Sequence, residues 1–383
     1  MNKQVKTIGI IGGGQLGLML ANATHRLGLN VVILEKSIYC PAYSVLQLEK
    51  DTFVSGELSC YDKLLELANV SDVLTFEIEH IDTKLLLRLE QETGKIIYPN
   101  PRILEIIQDK FAQKTFLKKV GLPVGKFELI RSIKNIDKLA RQFGFPMMIK
   151  SRKGGYDGGG NFVVKSKSDW NFLITKLELI KKHKDYFVEK FVSFEHEVSA
   201  LVARDVSSIV SIYPIIDTFQ ENNVCRKTVV PSTLSPEIQQ KAQLIGTEIA
   251  NKFDYIGIMA VEMFVLSSGE ILINEIAPRV HNSGHWTIDG SQTSQFEQHI
   301  RCITGMKLGS IQNKSPCCLM YNVFGDNIKI FDKLKSKQMP KVCFYDYNKK
   351  EVRSNRKMGH INIVGDCKEE VDQILQSLAV NQS

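Results

Sequence analysis

Several things are scarce or absent in this chain of 383 residues. No stretch approaches the ~20 consecutive apolar residues of a membrane-spanning helix, so no membrane partner is expected. The eight cysteines are scattered without metal-ligand spacing, and adjacent Cys317 and Cys318 fall in an apolar segment. Reduced thiols in a cytoplasm are the expectation. The net charge of +7 is modest, and the lysine-rich stretches at 176–190 and 333–341 lack interleaved aromatics. Solvated lysines explain them better than a nucleic-acid surface. No Gly-Lys-Ser/Thr follows a glycine loop, which excludes a Walker loop. There is no internal repeat and no low-complexity segment.

What remains is the composition of a soluble globular protein, 43% hydrophobic and 24% charged. The length implies roughly two to three domains. The first hundred residues alternate strand and helix: strands at 7–11, 30–35 and 73–78, helices at 15–27, 61–68 and 83–93. Such alternation predicts a parallel sheet covered on both faces. The apolar run after the polar start turns into glycines, which reads as a first buried strand and not a signal peptide.

Tyr98-Pro99-Asn100-Pro101 breaks the pattern and places a boundary there. One long amphipathic helix is expected over 102–120, stopped by Gly121 and Pro123. From 186 onward the pattern is strand-rich, interrupted by a helix at 236–253 and closed by another at 295–304. Beyond about 305 comes a smaller region, mostly strands, ending in a polar helix. The domains expected are 1–101, 102–305 with a lid subdomain at about 120–185, and 306–383.

Three motifs stand out. Gly12-Gly13-Gly14-Gln15-Leu16-Gly17 follows a strand and opens a helix, where free amides favour anions, and Glu35 ends the second strand. This fits a nicotinamide dinucleotide, another anionic ligand, or a structural turn. Residues 154–160 hold five glycines in seven, just after a strand ending in Lys150. An amide-rich loop beside a lysine is what a phosphate lid requires. Finally, Glu262 and Glu275 occupy apolar strands joined across Ser267-Ser268-Gly269. Two such carboxylates repel unless a cation lies between them, and magnesium with phosphate oxygens is the natural occupant, Asn274 adding an oxygen. The polar run 277–287 follows at once and sets Arg279 beside them.

On these residues the chain resembles the ATP-grasp superfamily and, within it, the N5-carboxyaminoimidazole ribonucleotide synthetase family. The resemblance rests on 12–17, Thr-Phe-Glu-Ile-Glu at 75–79, Gly-Gly-Tyr-Asp-Gly at 154–158, the run 274–287 and Arg-Lys-Met-Gly-His at 356–360. It implies an α/β and α+β multidomain fold, with a Rossmann-like N-terminal domain, a central ATP-grasp and a small β-rich C-terminal domain. The implied reaction is carboxylation of the amine of 5-aminoimidazole ribonucleotide by ATP and bicarbonate, through carboxyphosphate, giving ADP and phosphate in purine biosynthesis. A homodimer is implied as well.

The resemblance also implies site residues. Lys110 and Lys150 would meet the ATP phosphates with Gly155, Gly158 and Asn274. Glu189, Lys190, Phe191 and Val192 would form the adenine hinge, and Glu197 would take the ribose hydroxyls. Glu262 and Glu275 would hold magnesium, two ions being expected. Gln15, Leu16, Glu77, His281, Asn282 and Ser283 would bind the other substrates, with a basic cluster of Lys350, Arg356 and Lys357. Tyr156, Asp157 and Arg279 would serve the chemistry, Asp157 positioning the amine or taking its proton. Gly159 departs from the family's usual basic residue, and Gln220 from a usual histidine.

Overall fold

The β-branched runs of the first hundred residues form a five-stranded parallel sheet. Its order is Thr52–Ser55, Asn30–Glu35, Thr7–Ile11, Val73–Phe76, Ile96–Ile97. The computed structural model describes residues 5–131, 136–154, 160–176, 185–221, 223–336 and 339–379. Side chains alternate across the sheet, as the pleat requires. Val31 and Ile33 face the helix Gln15–Arg26, whereas Val32 and Leu34 face the helices Tyr61–Asn69 and Thr83–Thr93. The first of these faces is shared. Ile8, Ile10 and Leu20 pack in one cluster with Leu201, Trp286 and Phe296 of the central region.

The single helix expected over 102–120 is two, Pro101–Gln108 and Lys110–Lys119. Asp109 between them has φ −100° and ψ 101°, and its carboxylate accepts the amides of Phe111 and Ala112 at 3.1 Å. An aspartate that caps a helix end competes with continuation through it. Apolar spacing alone runs through such a break. Asp109 also pairs with Arg152, so the break ties the second helix to the residue after the strand Met147–Ser151.

The central strands build a nine-stranded sheet. From one edge the order is Ile271–Ala277, Gly257–Val265, His196–Arg204, Ile216–Glu221, Val224–Val230, Cys317–Phe324, Lys357–Gly365, Val342–Asp346, with Val210–Ile212 attached to His196–Arg204. The division expected at 305/306 is therefore crossed by continuous pairing: Lys227 stands opposite Tyr321 and Val230 opposite Cys318. The hairpin Ile216–Glu221 and Val224–Val230, missing from the sequence reading, makes the join. A smaller four-stranded sheet, Phe127–Leu129, Tyr186–Lys190, Met147–Ser151, Asn161–Val164, has its own core around Ile149 and Trp170. No described helix is long and apolar enough to cross a membrane.

Candidate active site

A cavity of about 500 Å³ opens between the small sheet, the large sheet and the N-terminal end of Gln15–Arg26. Strand alternation selects its lining. Met148 and Lys150 face it while Ile149 is core, and Glu262 and Phe264 face it while Val261, Met263 and Val265 are core. Phe264 stacks on Phe194 at 4.3 Å to give an apolar wall.

Glu262 and Glu275 stand directly opposite one another in the register. Burial, then the neighbouring Glu275 and Glu197, push Glu262 up to about 8. Lys110 Nζ meets Glu275 Oε2 at 2.8 Å. This pair fits a hard cation: two facing carboxylates, one holding its proton too tightly unless positive charge arrives. No cluster of three or more His, Cys, Asp or Glu that could hold a metal occurs among the described residues. A cation here would rest on these two carboxylates and on oxygens from a ligand.

Behind them lies a buried charge ladder. Glu189 is held by Lys114 Nζ at 2.6 Å and Lys150 Nζ at 2.7 Å. Burial opposes its ionisation, but Lys150 and Lys114 overcome this and bring it down to about 2. The Glu189 carboxylate is thus occupied in aiming Lys150, which also reaches Asn274 Oδ1 at 3.2 Å. Lys114, 2% exposed, was missed in the sequence because nothing in an amphipathic helix marks one lysine as turned inward. Lys190, Phe191 and Val192 line the same end of the cavity. Glu197 is pushed up to about 7 by burial, with the Gln220 amide at 3.3 Å and Lys150 pulling the other way.

The opposite end is basic. Arg279 pairs with Glu79, a cavity residue that the sequence reading left without a role. His281, Asn282 and Lys357 line this end with Gln15 and Leu16. Asn282 exchanges two amide hydrogen bonds with Asn322, at 2.8 and 2.7 Å, so the strand Cys317–Phe324 fixes the 282 turn. Ser283 is buried against Ser199 and His281 Nδ1, both at 2.9 Å, and does not line the cavity. His285, also unassigned before, does.

Three expected substrate contacts are engaged elsewhere. The Glu77 carboxylate accepts the amides of Gly14 at 2.8 Å and Gly17 at 3.2 Å, while Glu35 accepts that of Gly13 at 3.0 Å. The glycine motif at 12–17 spends these amides on the protein's own carboxylates, which favours the structural alternative for that turn. Lys350 lies over the Tyr39 ring at 3.2 Å, and Arg356 donates to the Glu351 carbonyl at 2.9 Å. Gly155, Tyr156, Asp157, Gly158 and Gly159 lie outside the described residues.

Three family profiles match the chain: a ribonucleotide synthetase preATP-grasp domain over 5–108, an ATP-grasp domain over 115–296 and a phosphoribosylaminoimidazole carboxylase C-terminal domain over 318–374. The N5-carboxyaminoimidazole ribonucleotide synthase of Bacillus subtilis is 32% identical over 386 residues, covering 100% of this chain and 98% of that protein. The phosphoribosylaminoimidazole carboxylase of Ogataea methanolica is 38% identical, covering 96% of this chain and 69% of that protein. The chain spans only about two thirds of such fungal relatives, 65% to 69% of their length. The crystal structure of N5-carboxyaminoimidazole synthase from Aspergillus clavatus with ADP and 5-aminoimidazole ribonucleotide superimposes with a TM-score of 0.90. Its identity is 32%, and the match covers 98% of each chain.

Proposed function

Given that this chain belongs to the N5-carboxyaminoimidazole ribonucleotide synthetase family of ATP-grasp enzymes, we propose a division of labour for its cavity. The chain is an ATP-dependent carbon–nitrogen ligase that carboxylates the amine of 5-aminoimidazole ribonucleotide in purine biosynthesis. The observation that carries the residue assignments is one cavity with opposed Glu262 and Glu275, Lys110 and Lys150, and a separate basic end. ATP lies at the end walled by Phe264 and Phe194, its base against 190–192 and its ribose at Glu197. Its phosphates run toward Lys110, Lys150 and Asn274.

Glu262 and Glu275 would hold magnesium, whose charge neutralises the phosphate oxygens when bound. Bicarbonate is a poor electrophile, so its oxygen attacks the terminal phosphoryl group to form carboxyphosphate and ADP. Arg279, oriented by Glu79, stabilises charge developing on that group. His281 and Lys357 hold the small anion beside it. The amine of the ribonucleotide then captures the carboxyl group and phosphate leaves. Tyr156 and Asp157, outside the described residues, are assigned to position that amine, as the family resemblance implies. Gln15, Leu16 and Asn282 contact the ribonucleotide. Lys350 and Arg356 would have to leave Tyr39 and Glu351 to join them, and Glu77 serves through the turn that carries Gln15. The assembly is a homodimer working in the cytoplasm.

The test is ADP release with magnesium, ATP and bicarbonate, with and without the ribonucleotide. Release that needs the ribonucleotide and falls at least about a hundred-fold in Glu275→Gln supports the assignments. Release unaffected by that substitution removes the metal assignment, and sedimentation as a monomer removes the dimer.

A further inference from the structure

Gln295 is the first residue of the helix Gln295–Thr304 and is 0% exposed. Its amide is fixed by a single residue. Oε1 accepts the backbone N–H of His281 at 2.9 Å, and Nε2 donates to the carbonyl of His281 at 2.6 Å. A backbone N–H can only donate and a carbonyl can only accept, so the two ends of the amide cannot be exchanged. The same Nε2 lies 3.3 Å from Nδ1 of His285. Facing a donor, Nδ1 must be the unprotonated nitrogen, which leaves the proton of an uncharged ring on Nε2.

Apart from its Nε2 edge, His285 is held by its neighbours. Its ring lies 4.8 Å from His360 and 5.6 Å from Phe296, and its carbonyl accepts Asn362 Nδ2 at 3.0 Å. His360 is backed by Tyr345, stacked at 4.5 Å, and by the Tyr347 hydroxyl at 2.9 Å. Burial first, then His360, His281, Lys357 and Arg279, place His285 well below the ordinary histidine range. The ring is only 1% exposed yet lines the cavity, and Nε2 has no partner among the described residues. His285 Nε2 is not one of the fully buried unpartnered atoms, in contrast to His360 Nε2, so a ligand atom in the cavity that accepts from it is the physical counterpart.

We infer that Gln295 is a positioning residue that fixes the tautomer of His285, and that His285 Nε2–H binds an anionic oxygen of an acceptor-side substrate. That oxygen belongs either to bicarbonate or to the ribonucleotide. The inference rests on the proposed placement of those two substrates at the basic end. The neighbouring His281 obeys the same rule, because the Ser283 amide donates to its Nδ1 at 3.3 Å. The imidazole N–H of His281 lies 3.6 Å from Glu262 Oε1, which leaves that of His285, beside Arg279 and Lys357, as the imidazole donor suited to a negative ligand oxygen.

The experiment is a long-range proton–nitrogen correlation spectrum of the full chain with ¹⁵N-labelled histidine, His285 being assigned from His285→Gln. The expected result is an Nε2–H tautomer that shifts on adding bicarbonate or the ribonucleotide, and an Nδ1–H tautomer in Gln295→Glu. In turnover, His285→Phe raises KM about ten- to a hundred-fold for the substrate it contacts and leaves KM for ATP unchanged. His285→Gln, which keeps a donor near the same place, recovers most of that loss. Which KM moves identifies the oxygen. An Nδ1–H tautomer in the wild-type chain, or a resonance unmoved by both substrates, overturns the inference. A chain that turns over no ribonucleotide would defeat the functional reading while leaving the tautomer arm decisive.

Discussion

Lys110 Nζ donates to Glu275 Oε2 at 2.8 Å, and Glu275 faces Glu262 across the sheet. The lysine thus partly neutralises a carboxylate pair proposed to bind magnesium. Lys110→Met should destabilise the ligand-free chain by about 1–3 kcal/mol, the cost of leaving a partly buried charge uncompensated. Magnesium alone should raise the melting temperature more in the variant than in the wild type, because both carboxylates are then left to the cation. Equal melting temperatures of the two ligand-free proteins would sink the idea.

Glu197 carries a pH signature. Its carboxyl is pushed up to about 7 by burial, against about 4.3 in an unfolded chain. The folded state then holds more protons than the unfolded state between those values, so stability falls as pH rises from about 4.3 through 7. Denaturant titrations across this window should show a shallower decline for Glu197→Gln than for the wild type. A slope unchanged by the substitution would assign the decline elsewhere, Glu262 being the next candidate.

Asp109→Ala removes a helix cap and the partner of Arg152 together. A cap alone is worth roughly 0.5–2 kcal/mol, and the unpaired guanidinium adds to it. Because the Lys110 amide bonds to the Arg152 carbonyl at 2.8 Å, KM for ATP should rise as well. Asp109→Asn, which keeps the cap and weakens the ion pair, should lose less stability than the alanine variant. Identical losses would show that the cap contributes nothing.

The glycine turn at 12–17 should ignore nicotinamide dinucleotides. The Gly14 and Gly17 amides are already taken by Glu77, and an added Cβ at Gly14 would lie 2.6 Å from its Oε1. Thermal-shift measurements should show stabilisation by ATP with magnesium and none by NADH. Glu77→Ala should cost about 1–3 kcal/mol through amides left without acceptors.

Sequence and structure agree where a pattern is local. Three of the five strands of the parallel sheet, the helices Thr83–Thr93 and Gln295–Thr304, and the strands bearing Glu262 and Glu275 were legible from periodicity, whereas the short edge strands Thr52–Ser55 and Ile96–Ile97 were not. The dense polar run at 274–287 pointed to the basic end. What escaped depends on long-range pairing. The inward turn of Lys114, the use of Glu77 as an amide acceptor and the joining of Val224–Val230 to Cys317–Phe324 leave no local periodicity. Gln295 escaped for a related reason: a glutamine at a helix start looks like solvent-facing polarity until its two histidine partners are placed.

The unbroken large sheet sets a timetable for synthesis. Val224–Val230 receives its second neighbour only when Cys317–Phe324 has been made, and that strand in turn waits for Lys357–Gly365. A nascent chain that has emerged through residue 300 carries the nucleotide end of the cavity but presents a bare strand edge. Such edges recruit other chains. Ribosomal pausing or premature termination in the 300–360 interval should therefore yield aggregates more readily than shortened working enzyme.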